Sequence, residues 1–234
     1  MASPFDALQR LIRSVVPIRL RGVPGRARWL NTRPLSDSWG FERGTPIDRH
    51  FIEAFLTRHA ADVRGRVLEI KSSAYTERIG RNVTARDVLD IDATNTSATL
   101  VADLANTESL PEGRFDCFIL TQTLQLIYDV RAAIASTHRV LRPGGTVLVT
   151  VPCISRIIPR YGLEADYWRF TVASCRRLFG DVFGAENVSV ESSGNVAAAV
   201  AFLRGAAVEE VPAPVLEASD PYFPVIITVR AVRR

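Results

Sequence analysis

The sequence is poor in lysine, methionine and cysteine. Lys71 is the single lysine among 29 basic residues, there is one methionine, and the cysteines are Cys117, Cys153 and Cys175. Three widely spaced cysteines without a CxxC or Cys/His cluster indicate neither a disulfide framework nor a structural zinc site. We therefore expect a reducing, cytoplasmic environment. The arginine excess is interpreted as a compositional bias rather than as a nucleic-acid-binding surface.

Long apolar runs are also missing. No stretch approaches the ~20 residues that cross a bilayer, so no membrane span is predicted. The hydrophobic fraction of 47% and the charged fraction of 23% are typical of a soluble globular protein. A chain of 234 residues is long enough to bury a core and suits one α/β domain.

The N-terminal segment differs from the rest in charge. Residues 1–33 contain seven arginines and one acid, Asp6. Apolar residues recur in it at helical spacing: Phe5, Leu8, Leu11, Ile12 and Val15. A transit peptide or a membrane-surface helix has this pattern, but a short helix docked on the domain or on a partner subunit is favoured. We predict that residues 1–46 form a helix and an arginine-rich irregular arm that packs on the core, and that residues 47–234 form the main domain.

Strand and helix patterns alternate through the main domain. Helices are predicted at 48–59, 130–141, 173–183 and 196–205. Strands are predicted at 66–70, 82–88, 99–103, 115–121, 146–151, 188–191 and 224–232. This order indicates a mostly parallel sheet with helices on both faces and an antiparallel edge. Ligands of such sheets bind at the carboxyl ends of the strands.

Five segments in this order carry a specific resemblance. They are Arg66–Ile70 (RVLEI) with Glu69 near its end, Asp87 in the second strand, Val101–Leu104 (VADL), Arg114–Asp129 and His138–Gly145 (HRVLRPGG). The set resembles class I S-adenosylmethionine (SAM)-dependent methyltransferases, which implies a Rossmann-like fold with a seven-stranded sheet. It also implies that SAM is bound by the following residues: Glu69, Lys71, Ser72, Tyr75, Asp87, Asp103, Leu104, Thr121 and Gln122.

Alternatives stay open for three of these acids. Glu69 and Asp103 could serve only as caps of the helices that follow them. Asp87, expected to bind the ribose hydroxyls, competes with Asp90 and Asp92 for that role.

The cofactor loop departs from the family pattern. The family has glycines in E-x-G-x-G-x-G, where the backbone approaches the cofactor, whereas Glu69–Tyr75 reads EIKSSAY. The loop must therefore bend differently. Two outcomes follow, an active enzyme with an altered pocket or an inactive relative, and the other intact motifs favour the first.

Two further segments bear on the acceptor. Gly44–Glu53 (GTPIDRHFIE) is similar to segments of methyltransferases encoded beside glycosyltransferases, and the resemblance extends to actinobacterial O-methyltransferases of polymethylated polysaccharides. Asp48, Arg49 and His50 could then form a lid, although Thr45 or Asp48 could simply cap a helix. Tyr161–Thr171 follows the fifth strand, and its aromatic and charged side chains suit a carbohydrate, although Trp168 and Phe170 could instead anchor the next helix.

The predicted activity is methyl transfer from SAM to a hydroxyl of a sugar or oligosaccharide, with a mannoside as one acceptor. The candidates for a general base or an orienting group are His50, Glu164, Asp166 and Tyr128. The candidates for acceptor binding are Gln125, Tyr167, Trp168 and Arg169. No motif indicates a divalent metal such as Mg²⁺, although a metal-bound alkoxide would be an alternative way to activate the hydroxyl.

Three other functions remain open at this point. A methyltransferase of another small metabolite would share every motif, and a non-catalytic, methyltransferase-like binding protein would explain the missing glycines. An RNA methyltransferase would use the basic arm, but no RNA-binding module is present, so no nucleic-acid partner is predicted. The sequence leaves the oligomeric state open, with a homodimer as one option.

Overall fold

The computed structural model describes residues 32–234, of which Ser36–Arg234 form one compact unit. The helix predicted near the N-terminus lies outside the described residues. Within the described part of the chain, no helix has the length and apolar character needed to cross a membrane.

In the described part of the chain, seven strands form one sheet. They are β1 (Gly65–Ile70), β2 (Val83–Asp90), β3 (Leu100–Val101), β4 (Phe115–Thr121), β5 (Leu141–Pro152), β6 (Val188–Ser193) and β7 (Ile226–Val232). The strand order is β3-β2-β1-β4-β5-β7-β6. The first five strands are parallel, and β7 runs antiparallel to both β5 and β6. The predicted fold class, a Rossmann-like methyltransferase sheet with an antiparallel edge, is confirmed.

Six helices accompany the sheet in the described residues. They are α1 (Ile47–Arg58), α2 (Ala74–Ile79), α3 (Val130–Val140), α4 (Val172–Phe183), α5 (Val196–Arg204) and α6 (Ala213–Glu217). Asp129 caps α3 by accepting a hydrogen bond from the backbone N of Ala132 (3.0 Å). Gly205 ends α5 in the left-handed conformation (φ 73°), which a glycine adopts at no steric cost.

The core consists of two apolar layers, one on each face of the sheet. Phe118 of β4 belongs to the layer that α3 and α4 cover, and its neighbour Ile119 belongs to the layer that α1 and α5 cover. Side chains alternate along a strand, so a strand covered on both faces must be apolar throughout. This explains why β4, written FDCFILT, shows no polar–apolar alternation.

Three local features differ from the sequence predictions. β2 continues to Asp90, two residues beyond its predicted end, and β3 has only two residues. Residues 142–145 (RPGG) belong to β5 rather than to a turn before it, next to a register irregularity between Phe115 and Cys117 of β4. Finally, α2 begins immediately after Ser73, so the loop after β1 is only three residues long.

Candidate active site

Two adjoining cavities lie at the carboxyl ends of the parallel strands. Cavity A has a volume of about 510 Å³, and its walls include Trp39, Phe41, Asp48, Arg49, Glu69, Ser72, Tyr75, Thr121, Gln122, Gln125 and Ser155. Cavity B has a volume of about 500 Å³, and its walls include Leu89, Asp90, Ala102, Asp103, Leu104, Ile127, Tyr128 and Tyr167. Both are bordered by Ile70, Lys71, Thr123, Leu126 and Tyr161. The shared border makes them two parts of one site.

The glycine-poor loop after β1 reaches its tight bend through a lysine. Lys71 stands where the family pattern has its first glycine, and it has φ 64°, in the left-handed region. A residue with a Cβ pays about 1–2 kcal/mol for this conformation, whereas glycine pays almost nothing. The loop therefore adopts a left-handed conformation, which favours glycine, at a lysine.

Glu69 fixes the other end of this loop. Its carboxylate accepts hydrogen bonds from the backbone N of Tyr75 (2.9 Å) and from the backbone N and hydroxyl of Thr76 (2.7 Å each). Burial raises the pKa of Glu69, although these hydrogen bonds oppose the rise. Glu69 thus caps α2, which was the alternative to a role in cofactor binding. It also lines cavity A.

The acid at the end of β2 is Asp90. It is buried, lines cavity B and accepts hydrogen bonds from Asn95 Nδ2 (2.8 Å) and from the backbone N of Asp92 (3.1 Å). The Lys71 ammonium lies 3.8 Å from its Oδ1. Burial alone would raise the pKa of Asp90, but these two hydrogen bonds and the lysine charge outweigh it, so the pKa is lowered. Asp90 is therefore held as a carboxylate facing the cavity.

The position expected for Asp87 needs a correction. Because β2 runs on to Asp90, Asp87 lies three residues inside the strand, and it lines neither cavity A nor cavity B. There it accepts hydrogen bonds from Arg66 Nε (2.7 Å) and from the hydroxyl of Thr99 (3.1 Å). The strand end that the sequence analysis assigned to Asp87 is occupied by Asp90.

Acidic and aromatic side chains complete cavity B. Asp103 follows β3, and its Oδ1 accepts a hydrogen bond from the backbone N of Ala105 (2.8 Å). Buried Leu104 adds an apolar wall. At the rim, the rings of Tyr128 and Tyr167 meet edge to face with centroids 5.4 Å apart. The cavity thus combines apolar walls with carboxylates at two strand ends.

Asp48 gives cavity A an acid of unusual pKa. It lies in the first turn of α1, one residue after buried Ile47, and accepts a hydrogen bond from the backbone N of Arg49 (2.9 Å). Burial raises the pKa of Asp48 to about 6. A carboxyl group with such a pKa is able to exchange a proton near neutral pH. Arg49 borders the same cavity and stands over the ring of Phe41 (5.4 Å).

Two glutamine amides in the wall of cavity A have unused polar atoms. Gln125 is 2% exposed and donates from Nε2 to the backbone O of Gln122 (2.9 Å), which orients its amide. Its Oε1 is buried and accepts no hydrogen bond among the described residues. The buried Nε2 of Gln122 likewise has no acceptor in this part of the chain. Unpaired buried polar atoms are costly, and both residues border cavity A, so these amides are candidates for contact with a ligand there.

Several predicted site residues lie outside both cavities. Asp166 has a fully buried carboxylate that is paired with Arg169 (2.5 Å) and accepts from the backbone N of Ile158 (3.2 Å). His50 packs its ring edge-on against Phe51 (5.4 Å), and Glu164 is exposed to solvent. Trp168 donates its indole N–H to the backbone O of Ile127 (3.0 Å). Asp166, Arg169 and Trp168 thus hold the segment after β5 in place.

The other predicted residues do reach the cavities. Those in cavity A are Glu69, Lys71, Ser72, Tyr75, Thr121, Gln122 and Gln125. Those in cavity B are Lys71, Asp103, Leu104, Tyr128 and Tyr167. The sequence analysis missed Trp39, Phe41 and Ser155, which border cavity A, whereas Tyr161 belongs to the predicted acceptor segment Tyr161–Thr171. No sequence signal marked Trp39 and Phe41, because they belong to an irregular segment before α1.

A comparison with protein families adds a specific match. Residues 53–149 match the family model described as a methyltransferase domain, and this range runs from α1 into β5. The match covers the loop after β1, Asp90 and the end of β4. The matched segment makes up less than half of the chain and is similar to a methyltransferase domain. This similarity supports SAM as the cofactor, which the motif series implied.

Individual relatives show similarity of narrower scope. The chain is 38% identical to the ubiquinone/menaquinone biosynthesis C-methyltransferase UbiE of Francisella philomiragia, but the alignment covers 26% of this chain and 28% of that protein. A SAM-dependent methyltransferase from Mesorhizobium loti has the same fold, with 17% identity, a TM-score of 0.51 and coverage of 80% and 98% of the two chains. Haemonchus contortus phosphoethanolamine N-methyltransferase 2, solved with SAM, is 15% identical, with a TM-score of 0.53 and coverage of 79% of this chain and 52% of that chain.

The residues of cavity B fit the nucleoside part of SAM. A ribose offers hydroxyl donors to a carboxylate, and Asp90 stands at the strand end where this interaction is made. Leu89, Leu104 and Ile127 supply apolar surface for a flat base. Among the described residues, no group of three His, Cys, Asp or Glu side chains is arranged as metal ligands.

Proposed function

We propose that this protein is a SAM-dependent O-methyltransferase that acts on a hydroxyl group of a sugar or oligosaccharide. The observation that carries the proposal is the composition of cavity A. It combines the carboxyl group of Asp48, whose pKa is raised to about 6, with the unpaired amide atoms of Gln122 and Gln125. A hydroxyl group both donates and accepts a hydrogen bond, so it could pair with an amide donor and with an amide acceptor.

The cofactor occupies cavity B and the border between the cavities in this proposal. Asp90 receives the ribose hydroxyls, and Asp103 and Leu104 lie beside the base. When bound, SAM supplies an electrophilic methyl group on a sulfonium centre. Lys71 and Thr123 line the border and Ser72 lines cavity A, so these residues would hold the remainder of the cofactor.

Asp48 acts as the general base. Its carboxylate accepts the hydroxyl proton as the acceptor oxygen forms its bond to the methyl group and the bond from methyl to sulfur breaks. S-adenosylhomocysteine (SAH) and a methyl ether are the products, and the proton remains on Asp48 until solvent removes it. A base with a pKa near the working pH is effective because it is ionised yet still binds a proton.

The sugar assignment rests on the mixture of side chains around Asp48. Aromatic rings that can stack on the C–H faces of a sugar come from Trp39, Phe41, Tyr75 and Tyr161. Arg49, Ser155 and the two glutamines provide hydrogen-bonding groups for further hydroxyls. Trp39 is itself covered by the guanidinium of Arg156 (4.3 Å), which holds its ring in a fixed orientation. The similarity of the Gly44–Glu53 segment to glycosyltransferase-associated methyltransferases, noted above, points in the same direction.

The acceptor class is tested by a panel assay. The purified protein is incubated with methyl-labelled SAM and with glycosides, phenols, quinols and amines, and label transfer is measured together with SAH release. Labelled methyl ethers of glycosides are the expected products. Transfer only to a quinol carbon or to another non-sugar would refute the sugar assignment and favour a small-metabolite methyltransferase, which the UbiE similarity makes the second candidate.

Binding of SAH by calorimetry separates the catalytic from the non-catalytic interpretation. We expect saturable binding of one SAH per chain. Absence of binding at millimolar SAH would contradict the enzyme proposal and leave a methyltransferase-like binding protein.

A further inference from the structure

Lys71 stands against the carboxylate that is proposed to bind the ribose. Its ammonium is 3.8 Å from Asp90 Oδ1, and among the described residues it is the one cationic side chain that borders cavity B. The family pattern has a glycine at this position, which has no side chain to place there. The lysine therefore adds a group to the cofactor cavity that the family pattern does not contain.

The backbone of Lys71 is fixed, so only its side chain is free to move. Its N–H donates to the backbone O of Leu89 (2.9 Å), and its carbonyl accepts from Asn95 Nδ2 (2.8 Å). The same Asn95 amide group also donates to Asp90 Oδ2 (2.8 Å). The Lys71 side chain is about half exposed, and its 3.8 Å separation from Asp90 is longer than a hydrogen bond. The pair can therefore open without disturbing the loop.

The number of hydrogen-bond acceptor sites on Asp90 is limited, so Lys71 and the cofactor compete for this carboxylate. A carboxylate offers about four lone-pair sites, and Asp92 and Asn95 each use one of them. A ribose diol would need the sites that remain, and Lys71, whose ammonium lies 3.8 Å from Oδ1, borders the same cavity.

We propose that Lys71 is a positioning residue that competes with the ribose for Asp90 and leaves it when the nucleoside enters cavity B. This inference rests on the placement of the cofactor nucleoside in cavity B. Lys71 thereby sets the affinity for adenosyl ligands without contacting the methyl group or the acceptor.

The test uses two ligands and two variants. Adenosine contains the ribose but lacks the methionyl carboxylate, whereas SAH contains both. Both are titrated by calorimetry into the wild type, Lys71→Met and Lys71→Arg, at low and at high salt. Methionine keeps the length of the side chain without its charge, and arginine keeps the charge.

Lys71→Met is expected to bind adenosine and SAH about two- to five-fold more tightly than the wild type, the size of effect that a half-exposed ion pair supports. High salt should tighten binding to the wild type and to Lys71→Arg and leave Lys71→Met unchanged, since salt screens the ion pair. A merely structural role of Lys71 would not produce this difference in salt dependence.

Three results would overturn the proposal or its premise. Unchanged or weaker adenosine binding by Lys71→Met would show that the lysine does not compete at Asp90. Weaker SAH binding with unchanged adenosine binding would show that it binds the methionyl carboxylate instead. Failure of every variant, including the wild type, to bind adenosine while SAH still binds would refute the nucleoside placement itself.

Discussion

Cavity B and cavity A lie side by side, but the chain builds them in different ways. Cavity B is formed largely by residues at the ends of β1, β2, β3 and β4, that is, by consecutive elements of the sheet. Cavity A combines strand ends with Trp39 and Phe41, which precede α1, and with Ser155, which follows β5. One half of the site therefore follows from the order of the strands, whereas the other half depends on irregular segments far apart in sequence.

The cofactor is easier to infer than the acceptor because the two cavities are built from different kinds of segment. Parallel strands bring their carboxyl ends to one edge, so any acid at a strand end lies near the cofactor. Irregular segments carry no such rule, and their side chains are placed by tertiary packing. If this division is correct, substitutions in the two cavities should separate acceptor chemistry from cofactor binding.

The largest effect is expected from Asp48→Asn, which removes the proposed base. We expect kcat/KM to fall about 100-fold or more, the usual contribution of general base catalysis, with the SAH Kd unchanged. The wild-type rate should fall as the pH drops through about 6, because protonated Asp48 accepts no proton. This pH limb should be absent from the residual activity of the variant.

A stability measurement is the control for Asp48→Asn. Because the folded-state pKa of Asp48 is raised, ionisation of this carboxyl costs stability as the pH rises from about 4 through about 6. Above that range the asparagine variant should have a Tm equal to or higher than that of the wild type. Full activity, or an unchanged pH limb, would show that Asp48 is not the base.

The next effect concerns cavity B and compares two aspartates of one strand. Asp90→Asn should weaken SAH binding about ten-fold or more, because hydrogen bonds to a charged group are lost, and should leave the acceptor KM unchanged. Asp87→Asn is the matched control, because it breaks the contact with Arg66 and should lower the Tm without changing the SAH Kd. Calorimetry measures the SAH Kd, and thermal unfolding measures the Tm. If Asp87→Asn weakens SAH binding and Asp90→Asn does not, Asp87 rather than Asp90 binds the ribose.

The smallest effect is expected from Gln125→Leu in cavity A. The leucine fills a similar volume but removes the free Oε1, so the acceptor KM should rise about three- to ten-fold, as one hydrogen bond contributes. The SAH Kd should change little. Steady-state kinetics with the best glycoside measures the KM, and Gln122→Leu provides the donor-side counterpart. A loss confined to SAH binding would assign these amides to the cofactor and would blur the division between the cavities.

Much of the sheet could be predicted because the pattern of apolar residues along a strand reflects which of its faces are buried. The β4 segment, Phe115–Thr121, was predicted with its observed bounds, since both of its faces are covered. The end of β2 could not be read from the sequence. It is set by pairing with two neighbouring strands. Leu89 lies opposite Ile70 of β1, and Asp90 lies opposite Val101 of β3. The three-residue difference between Asp87 and Asp90 thus decides which aspartate faces cavity B.

The acceptor residues were harder to predict for a different reason. Asp166 has a carboxylate that could serve as a base. Inside the fold, however, this carboxylate is paired with the guanidinium of Arg169. His50 and Asp48 are two residues apart on α1 and therefore point in different directions, so only one of them reaches cavity A. Residue type suggested both, and the packing of α1 against the sheet selected Asp48.

The position of β7 has a consequence for how the domain is made. Among the strands of the described residues, β6 pairs only with β7, and β7 also covers the edge of β5. During synthesis, β6 and the outer side of β5 leave the ribosome before the strand that joins them. A growing chain therefore exposes two unpaired strand edges until residues 226–232 emerge. Because of this order of translation, we expect premature association between nascent chains to begin at the unpaired edges of β5 and β6.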